Sequence, residues 1–195
     1  MFKCIEAKDE ELIKEIYRFR YHVLCEEFEI FKKEDYPDKS EYDKYDDYSI
    51  QYAVLDENEK IAGCMRLVHH SPFGYPASNM LDIYDEEKCN VLSDEKTGEL
   101  SRIFIRADCR GINKSRKIVE SIKPLAGQKL IDLGLVYTYG ALEESFLRFL
   151  LMLKMPYRRI GPYQNYGGRI RALCIMHTEE FYVLNKEFLV ETTST

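Results

Sequence analysis

The run GELSRIFIRAD, residues 98–108, combines strand-forming residues with side chains that can take part in acid–base chemistry. Residues 103–105 are apolar and belong in a core, whereas Glu99, Ser101 and Arg102 carry charges or a hydroxyl. Burying an ionised carboxylate or guanidinium is costly unless a partner is supplied. The first half of this strand therefore predicts a polar site with a candidate proton acceptor, and the second half holds the sheet together.

Charged residues also stand at other places where the local pattern predicts apolar ones. Arg66 interrupts the apolar run IAGCMRLV, and Arg20 belongs to an amphipathic helix. Asp43 and Asp46, in EYDKYDD, would repel each other unless cations lie between them. A guanidinium binds carboxylates through parallel N–H donors, so we expect Arg20 and Arg66 to bridge the two aspartates. The alternative is an ion-pair lattice that only fixes this acidic connector to the sheet.

Composition excludes several classes of protein. The 195 residues are 45% hydrophobic and 32% charged, which predicts one soluble globular domain over residues 1–195. The longest apolar-rich run, residues 146–155, is too short to span a bilayer, and the acidic N-terminus is unlike a signal peptide. Six cysteines without a C-x-x-C pair predict no metal site and no disulfide framework, and they indicate a reducing cytoplasm. A net charge of −6 argues against nucleic-acid binding.

The hydrophobic pattern predicts a mixed α/β fold around the polar strand. A strand at residues 2–7 precedes a helix that Asp9 caps and that runs to about Cys25, and a charged connector follows at 29–48. Further strands are expected at 49–56, 61–68, 98–107, 136–139, 159–164 and 171–176, and further helices at 114–133, 141–153 and 179–186. Hairpins followed by strand–helix–strand units predict a mixed, mostly antiparallel α/β sheet with helices on both faces.

Short motifs occur in an order that resembles acyl-homoserine-lactone synthases. They are R-Y-x-V at 20–23, E-x-D-x-x-D at 41–46, G-x-x-R-L at 63–67, Met80-Leu81 and E-L-S-R at 99–102. The chain is more similar still to N-acyl amino acid synthases and exosortase-associated acyltransferases, through R-Y-x-V-x-C-x-E at 20–27 and GPYQNYGGRIRA at 161–172. This resemblance implies a GNAT-like fold and a bacterial enzyme that transfers an acyl group from a thioester to an amine.

The resemblance assigns candidate roles to the polar strand. Glu99 is the expected base, acting directly or through one water, because a partly desolvated carboxylate has a raised pKa. GNAT-type strands carry a bulge here that frees a backbone N–H, so the oxyanion donor is expected near Ile103, Phe104 and Ile105. Ser101 either protonates the leaving thiolate or is a small residue at a crowded crossing. In a strand without a bulge, the side chains of Glu99 and Arg102 lie on opposite faces and cannot both point into one pocket. We therefore expect Arg102 to join the network of Asp43, Asp46 and Arg66 or to hold the acceptor's carboxylate.

The acceptor and the acyl pocket are assigned in the same way. Homoserine-lactone synthases resemble one another in a tryptophan that follows the R-x-x-x-F segment, and this chain has none. That departure favours an amino acid over S-adenosylmethionine as the small amine acceptor. An acyl tunnel is expected along the apolar helix near residue 141, lined by Phe146, Phe149 and Leu150, with plain core packing as the alternative.

The acyl donor is expected at the basic segment after the strand. Coenzyme-A-dependent GNAT enzymes resemble R/Q-x-x-G-x-G/A there, whereas this chain reads RADCRGINKSR, with Asp108 before the glycine and Asn113 after it. A basic face beside a degenerate phosphate site suits an acidic acyl carrier protein, with acyl-coenzyme A as the alternative. The acyl-phosphopantetheine thioester is then a co-substrate, and no permanently bound cofactor is expected. The donor-binding candidates are Arg110, Gly111, Lys114, Arg116 and Lys117.

Two other functions remain open at this point. A homoserine-lactone synthase that dispenses with the tryptophan would make a lactone from S-adenosylmethionine. A non-catalytic module would bind acyl chains or a carrier protein without turnover. The joint presence of Glu99, Asp43, Asp46, Arg66 and Arg102 favours an enzyme.

Overall fold

The computed structural model describes residues 1–88 and 96–188, which form two compact units. Unit 1 consists of Met1–Leu67 and Ser101–Lys123, and unit 2 contains Val68–Leu100 and the chain from Pro124 onward. The interpretation of residues 1–195 as a single domain remains a prediction. Cys89, one of the six cysteines, lies outside the described residues.

Unit 1 is built from strands in the order β1–β2–β3–β4 and the helix α1. The elements are β1 (Lys3–Ala7), α1 (Glu10–Tyr21), β2 (Ser49–Leu55), most of β3 (Ile61–His69) and the second half of β4 (Thr97–Ile105). β1 and β2 pair in antiparallel orientation, with Lys3 opposite Leu55. The first part of α3 (Ile112–Asp132) completes this unit.

The helix α1 begins where the sequence predicts and ends earlier. Asp9 accepts a hydrogen bond from the N–H of Glu11 at 2.7 Å, which is the expected N-cap. After Tyr21 the chain forms a π-helical turn, His22–Glu27, in place of the regular helix predicted to Cys25. Three consecutive residues in this turn, Val23 to Cys25, are buried.

Unit 2 contains the parallel part of the sheet. Its elements are α2 (Pro76–Met80), the start of β4, the end of α3, β5 (Tyr137–Leu142), α4 (Glu144–Met152), β6 (Tyr157–Arg159), β7 (Gln164–Tyr166), β8 (Arg169–His177) and α5 (Thr178–Leu184). Its strand order is β4–β5–β8–β6, with β7 paired to β8. β5 is parallel to β4 and antiparallel to β8, which confirms the mixed, mostly antiparallel α/β class.

Two element predictions in unit 2 are wrong at their edges. Residues 141–142 belong to β5, so α4 starts three residues later than the apolar pattern predicts. The predicted strand 159–164 is two strands, because Gly161 and Pro162 interrupt it and proline cannot donate to a ladder. Gly167 and Gly168, with φ of 59° and 73°, turn β7 into β8, as two-residue hairpin loops require.

The described cysteines are buried thiols. Five of them, Cys4, Cys25, Cys64, Cys109 and Cys174, are free and buried. Burial raises the pKa of Cys4, Cys64 and Cys174 to about 12, so these three are not thiolates near neutral pH. They fit the interpretation of small buried hydrophobic residues. In the described ranges, no helix combines the length and the apolar character that crossing a membrane requires.

Candidate active site

β4 contains a bulge at the position where the polar half of the strand meets the apolar half. Arg102 has a φ of 53°, in the left-handed region that costs a non-glycine residue roughly 1–2 kcal/mol. Such a residue inside a strand is typical of a β-bulge. The carbonyl of Arg102 accepts from the Cys64 thiol at 3.3 Å. The alternation of faces assumed for a regular strand therefore fails at Arg102.

A glycine on β3 lets β4 approach closely at this bulge. A Cβ atom at Gly63 would lie 2.9 Å from the carbonyl oxygen of Phe104 and 3.0 Å from the side chain of Ile118. Real Cβ atoms do not come that close to backbone, so the glycine of the G-x-x-R-L motif is a steric requirement. Phe104 itself packs against two apolar clusters of unit 1, one around Ile16 and one around Tyr21. The N–H groups of residues 103–105 stay the predicted oxyanion donors.

Arg20 is the fully buried end of an ion-pair network in unit 1. Its Nε donates to Glu41 at 2.5 Å, and its two terminal nitrogens bind the Asp46 carboxylate at 2.7 and 3.0 Å. Arg20 and Glu41 have no exposed surface. The bidentate contact with Asp46 is the one that the sequence predicts for Arg20, although its second partner is Glu41 and not Asp43.

Arg66 bridges the two aspartates. Its Nη1 lies 2.7 Å from Asp43 and 3.1 Å from Asp46, and its Nε donates to the Ser101 hydroxyl at 3.2 Å. Nη2 of this fully buried side chain has no hydrogen-bond partner in the described part of the chain. A buried guanidinium nitrogen without a partner is costly, so this corner of the network has the capacity to accept an anionic or polar group.

Arg102 closes the network from the bulge. Its Nη2 donates to Glu41 at 2.8 Å and to Asp43 at 3.0 Å, and its guanidinium lies 5.7 Å from the centre of the Phe31 ring. Sequence analysis names Glu41 only as part of a motif, yet this carboxylate binds two guanidiniums, those of Arg20 and Arg102. Arg102 thus makes the network contacts that were one of its two expected roles.

The six members of the network balance in formal charge. Three guanidiniums, of Arg20, Arg66 and Arg102, face three carboxylates, of Glu41, Asp43 and Asp46. Burial raises the pKa of Glu41 and Asp46, but the neighbouring guanidiniums outweigh it and hold both below the usual range. Because a lowered pKa makes these carboxylates weak proton acceptors and their oxygens are shared between cations, we do not assign the base to them.

Glu99 lies in unit 2 as a buried carboxylate near a second set of polar side chains. It is 2% exposed, and its Oε2 accepts from the backbone N–H of Ala77, near the start of α2, at 2.7 Å. α2 is held there by Tyr75, whose hydroxyl donates to the carbonyl of Thr97 on β4. The side chain of residue 99 is therefore not turned to bulk water, and its position fits the predicted base.

Two residues of unit 2 that sequence analysis misses belong to the surroundings of Glu99. The hydroxyls of Thr138, on β5, and Tyr157, on β6, are 3.0 Å apart and buried. Burial raises the pKa of Tyr157, the Thr138 hydrogen bond lowers it, and the charge of Glu99 raises it further. Tyr157 therefore keeps its proton. In the sequence, Thr138 stands out only as a polar residue within β5. The local pattern gives no indication that its partner is Tyr157, because the two residues belong to different strands.

The donor-binding candidates lie at the start of α3 in unit 1. Arg110 forms a forked ion pair with Glu27, and its Nε donates to the carbonyl of Ile105 at 2.8 Å. Gly111 has a φ of 113°, which suits glycine, and no atom lies within 4 Å of where its Cβ would be. Lys114 donates to the carbonyl of Asp108 at 2.9 Å.

The other two donor candidates, Arg116 and Lys117, lie on the exposed face of α3. Arg116 pairs with Glu120 one turn along at 2.9 Å, which is an ordinary helix-surface contact. Lys117 is exposed. Of the five donor candidates, the first three surround the start of the helix and the last two belong to its outer face.

The predicted acyl-tunnel residues of α4 differ in accessibility. Leu150 has no exposed surface and packs as core. Phe146 and Phe149 are half-buried, and their rings stack with centroids 6.1 Å apart. The two phenylalanines are therefore the accessible part of the predicted lining, and the tunnel itself remains a prediction.

The mixed sheet and its polar strand β4 are those of an acyltransferase of the GNAT class. The family model described as Acetyltransferase (GNAT) domain matches residues 19–119, just over half of the chain. The chain therefore belongs to the GNAT acetyltransferase family. The match spans the Arg20 network, the bulge of β4 and the start of α3.

Solved structures with the same fold include several acyl-transferring synthases. FeeM, an N-acyl amino acid synthase from uncultured soil microbes, has a TM-score of 0.71 at 10% identity, covering 94% of each chain. BjaI, a CoA-dependent acyl-homoserine lactone synthase, has a TM-score of 0.67 at 19% identity, covering 96% of this chain and 89% of its own. The AHL synthase LasI has a TM-score of 0.66 at 15% identity, covering 94% and 93%. At these identities the likeness establishes the fold.

No curated protein matches the chain at a significant level. The structural comparison and the resemblance read from the motifs agree on the GNAT fold.

Proposed function

We propose that this protein transfers a fatty acyl group from a phosphopantetheine thioester to the amine of an amino acid or a similar small molecule. The observation that carries the proposal is Glu99, a carboxylate buried on β4 just before the bulge at Arg102. A buried carboxylate on the central strand of an acyltransferase fold is the proton acceptor that this reaction requires.

The reaction needs each group in a distinct role. Glu99 removes a proton from the acceptor's ammonium, directly or through one water. The freed amine attacks the thioester carbonyl, and a backbone N–H near the bulge stabilises the oxyanion. Collapse of the tetrahedral intermediate forms the amide and expels a thiolate. Ser101, the candidate donor, gives the thiolate its proton and takes up the second proton of the attacking nitrogen in return. Ser101 already accepts from Arg66, so its own O–H is directed elsewhere.

The ion-pair network supplies the acceptor site. Arg66 and Arg102 are the candidates for holding the acceptor's carboxylate, because Arg66 retains an unpartnered nitrogen within the described residues and Arg102 is the least buried arginine of the network. Phe31 lies over Arg102, in the region where homoserine-lactone synthases carry a tryptophan. An amino acid fits these groups without the larger aromatic surface.

The donor is a carrier-bound acyl-phosphopantetheine in preference to acyl-coenzyme A. The start of α3 provides the N–H groups and cations that a phosphodiester needs, and the outer face of α3 adds Arg116 and Lys117 for an acidic partner protein. Both donors present the same thioester. The free buried thiols are compatible with a cytoplasmic enzyme.

The test is the substitution Glu99→Gln. Glutamine keeps an oxygen that accepts from Ala77, so the fold is expected to persist, but it cannot remove a proton. We expect a loss of about two to four decades in amide formation, measured by mass spectrometry with acyl donors and an amino acid mixture. Glu180→Gln, at an exposed position of α5, is the control and should keep full activity. Full activity of Glu99→Gln with an unchanged melting temperature would remove Glu99 from the mechanism.

The same assay separates the two other functions. A lactone formed from S-adenosylmethionine and an acyl donor would establish a homoserine-lactone synthase, the activity that the name of BjaI states for that protein. Acyl binding without turnover on any amine would establish a binding module. The named activity of FeeM, N-acyl amino acid synthesis, is the one that our proposal assigns to this chain.

A further inference from the structure

The late motif at residues 161–172 has no part in the proposed reaction, and it follows an arginine that differs from all the others. Every other arginine of the chain pairs with a carboxylate of the described residues. Arg159, the last residue of β6, is exposed, and its guanidinium has no carboxylate partner in the part of the chain that the structure describes. Its charge is therefore available to a carboxylate from outside the chain.

Two tyrosine rings hold the guanidinium of Arg159. Its carbon lies 5.0 Å from the centre of the Tyr163 ring and 5.7 Å from the centre of the Tyr84 ring, within the range of cation–π attraction. A ring face supplies negative potential but no lone pair, so the guanidinium keeps N–H donors for a forked contact with a carboxylate. Because the side chain is already restricted, less entropy is lost when a partner binds.

The beginning of the motif docks against the segment that carries Tyr84. The backbone N–H of Tyr84 donates to the carbonyl of Ile160 at 2.9 Å. A Cβ atom at Gly161 would overlap the carbonyl oxygen of Asp82, so glycine is what lets the two segments approach this closely. The Gln164 amide, with its oxygen toward the Asp82 N–H, accepts from it at 2.7 Å and donates to the Asp82 carboxylate at 3.2 Å. These contacts hold the Tyr84 ring in place.

The charges that act on Tyr163 include one cation without a counter-ion. Burial raises the pKa of Tyr163, the charge of Glu144 raises it further, and the charges of Arg159 and Arg148 lower it. Arg148 pairs with Glu144 on α4 at 3.3 Å. Arg159 has no such partner among the described residues. The surroundings of Tyr163 therefore favour an acidic partner.

We propose that Arg159, held by Tyr84 and Tyr163, is a docking contact for a carboxylate side chain of the acyl carrier protein that delivers the donor. This inference rests on the proposed function, because it concerns the partner of that reaction. Arginine and tyrosine are the residue types that carry much of the binding energy at protein interfaces. Small ligands are instead enclosed in concave pockets, whereas Arg159 is exposed on a strand at the end of the sheet. An acidic carrier protein supplies the carboxylate that this chain does not.

The experiment measures binding of a purified bacterial holo-acyl carrier protein to the full chain by calorimetry, at low and at high salt. The variants are Arg159→Gln, which removes the charge, and Tyr163→Leu, which keeps the charge and removes one ring. The control is Lys3→Gln, which removes an equal charge from an exposed position of β1. Amide formation from acyl-pantetheine, which carries the thioester without a protein, is followed in parallel, and the melting temperatures of all variants are compared.

We expect Arg159→Gln to weaken carrier-protein binding about 10-fold at low salt, because the carboxylate of the partner loses a charge-assisted contact. Tyr163→Leu should weaken it about 3-fold, since the guanidinium keeps its charge and loses part of its order. High salt should reduce the difference between the wild type and Arg159→Gln. Lys3→Gln should bind like the wild type, and transfer from acyl-pantetheine should be the same in all four proteins.

Other outcomes overturn the inference. It fails if the wild type does not bind the carrier protein, if Arg159→Gln binds as tightly as Lys3→Gln, or if Tyr163→Leu has no effect. It also fails if Arg159→Gln impairs transfer from acyl-pantetheine to the same extent, which would assign the arginine to a small-molecule site or to the fold. Failure of the proposed function looks different: carrier-protein binding depends on Arg159, but the wild type forms no amide from either donor.

Discussion

Unit 1 contains two sets of arginine–carboxylate pairs that are chemically alike and physically different. In the network, the side chains of Arg20 and Glu41 are completely buried and three cations share three carboxylates. At the start of α3, the pairs Arg106–Asp108 and Arg110–Glu27 keep between 24% and 65% of each side chain exposed. The same kind of arginine–carboxylate hydrogen bond therefore occurs in a buried set and in a set that is exposed to solvent.

The difference in exposure decides what each set can do. A buried pair is costly to break, because the remaining charge has neither water nor a partner, whereas an exposed pair contributes about 0–1 kcal/mol. The network is therefore a fixed scaffold that holds the residue 41–46 connector against β3 and the bulge of β4. The pairs at the start of α3 can exchange one anion for another. The network can take up an acceptor's carboxylate only as an addition, at a nitrogen such as Nη2 of Arg66, which has no partner among the described residues.

The largest effect is expected from breaking the buried set. Arg20→Met removes the cation shared by Glu41 and Asp46 and leaves both carboxylates buried, which should lower the free energy of unfolding by about 3–5 kcal/mol. Arg18→Met is the matched control, because Arg18 lies on the same helix and pairs with Glu11 where both are exposed. We expect the control to change stability by less than about 1 kcal/mol. Equal effects of the two substitutions in urea unfolding would remove the distinction between the two sets.

Acid should also act on the buried set. The pKa values of Glu41 and Asp46 are lower in the folded chain than in the unfolded chain, since guanidiniums outweigh burial. The resulting stability is complete above the unfolded pKa values and decreases as pH falls below about 5 toward the folded values. Urea unfolding at a series of pH values should show a decrease on the order of 2 kcal/mol by pH 3. Arg20→Met should flatten this dependence, and an unchanged slope in that variant contradicts the assignment.

The bulge allows a sharper test of what keeps Arg102 in place. Arg102→Ala and Arg102→Gly both remove the contacts with Glu41 and Asp43, but only glycine accepts a φ of 53° without strain. We expect the glycine variant to be more stable than the alanine variant by about 1 kcal/mol. An alanine variant of equal or greater stability would mean that the strand relaxes and that the guanidinium contacts do not impose the bulge.

The smallest effect on stability is expected from the exposed set. Arg110→Gln breaks the pair with Glu27, and since both groups stay hydrated, the free energy of unfolding should change by no more than about 1 kcal/mol. Under the proposed function, the same substitution should raise the KM for a phosphopantetheine donor while kcat changes little. A loss of stability comparable to that of Arg20→Met would place this pair with the scaffold.

Sequence reasoning reached the main elements and much of the charged set. The alternation of apolar and polar residues predicts β2 and β3, and Asp9 predicts the start of α1. The charges at positions where the pattern predicts apolar residues indicate that Asp46 pairs with Arg20 and Arg66. It missed the π-helical turn after Tyr21, the central position of Glu41 and the hydroxyl pair of Thr138 and Tyr157. Each miss concerns a contact between residues far apart in sequence, or a local departure from a regular period.

The sequence by itself determined that this chain forms a mixed sheet with ionised groups at one strand, because periodicity and the cost of burying unpaired charge are properties of neighbouring residues. Only the tertiary structure decided which partners these charged groups have. The backbone N–H of Ala77 donates to Glu99, Glu27 pairs with Arg110, and Asp108 pairs with Arg106. Those partners come from different elements, and strand register, the bulge at Arg102 and the depth of burial select them. Depth of burial is also what turns one arginine–carboxylate pair into scaffold and another into a replaceable ligand contact.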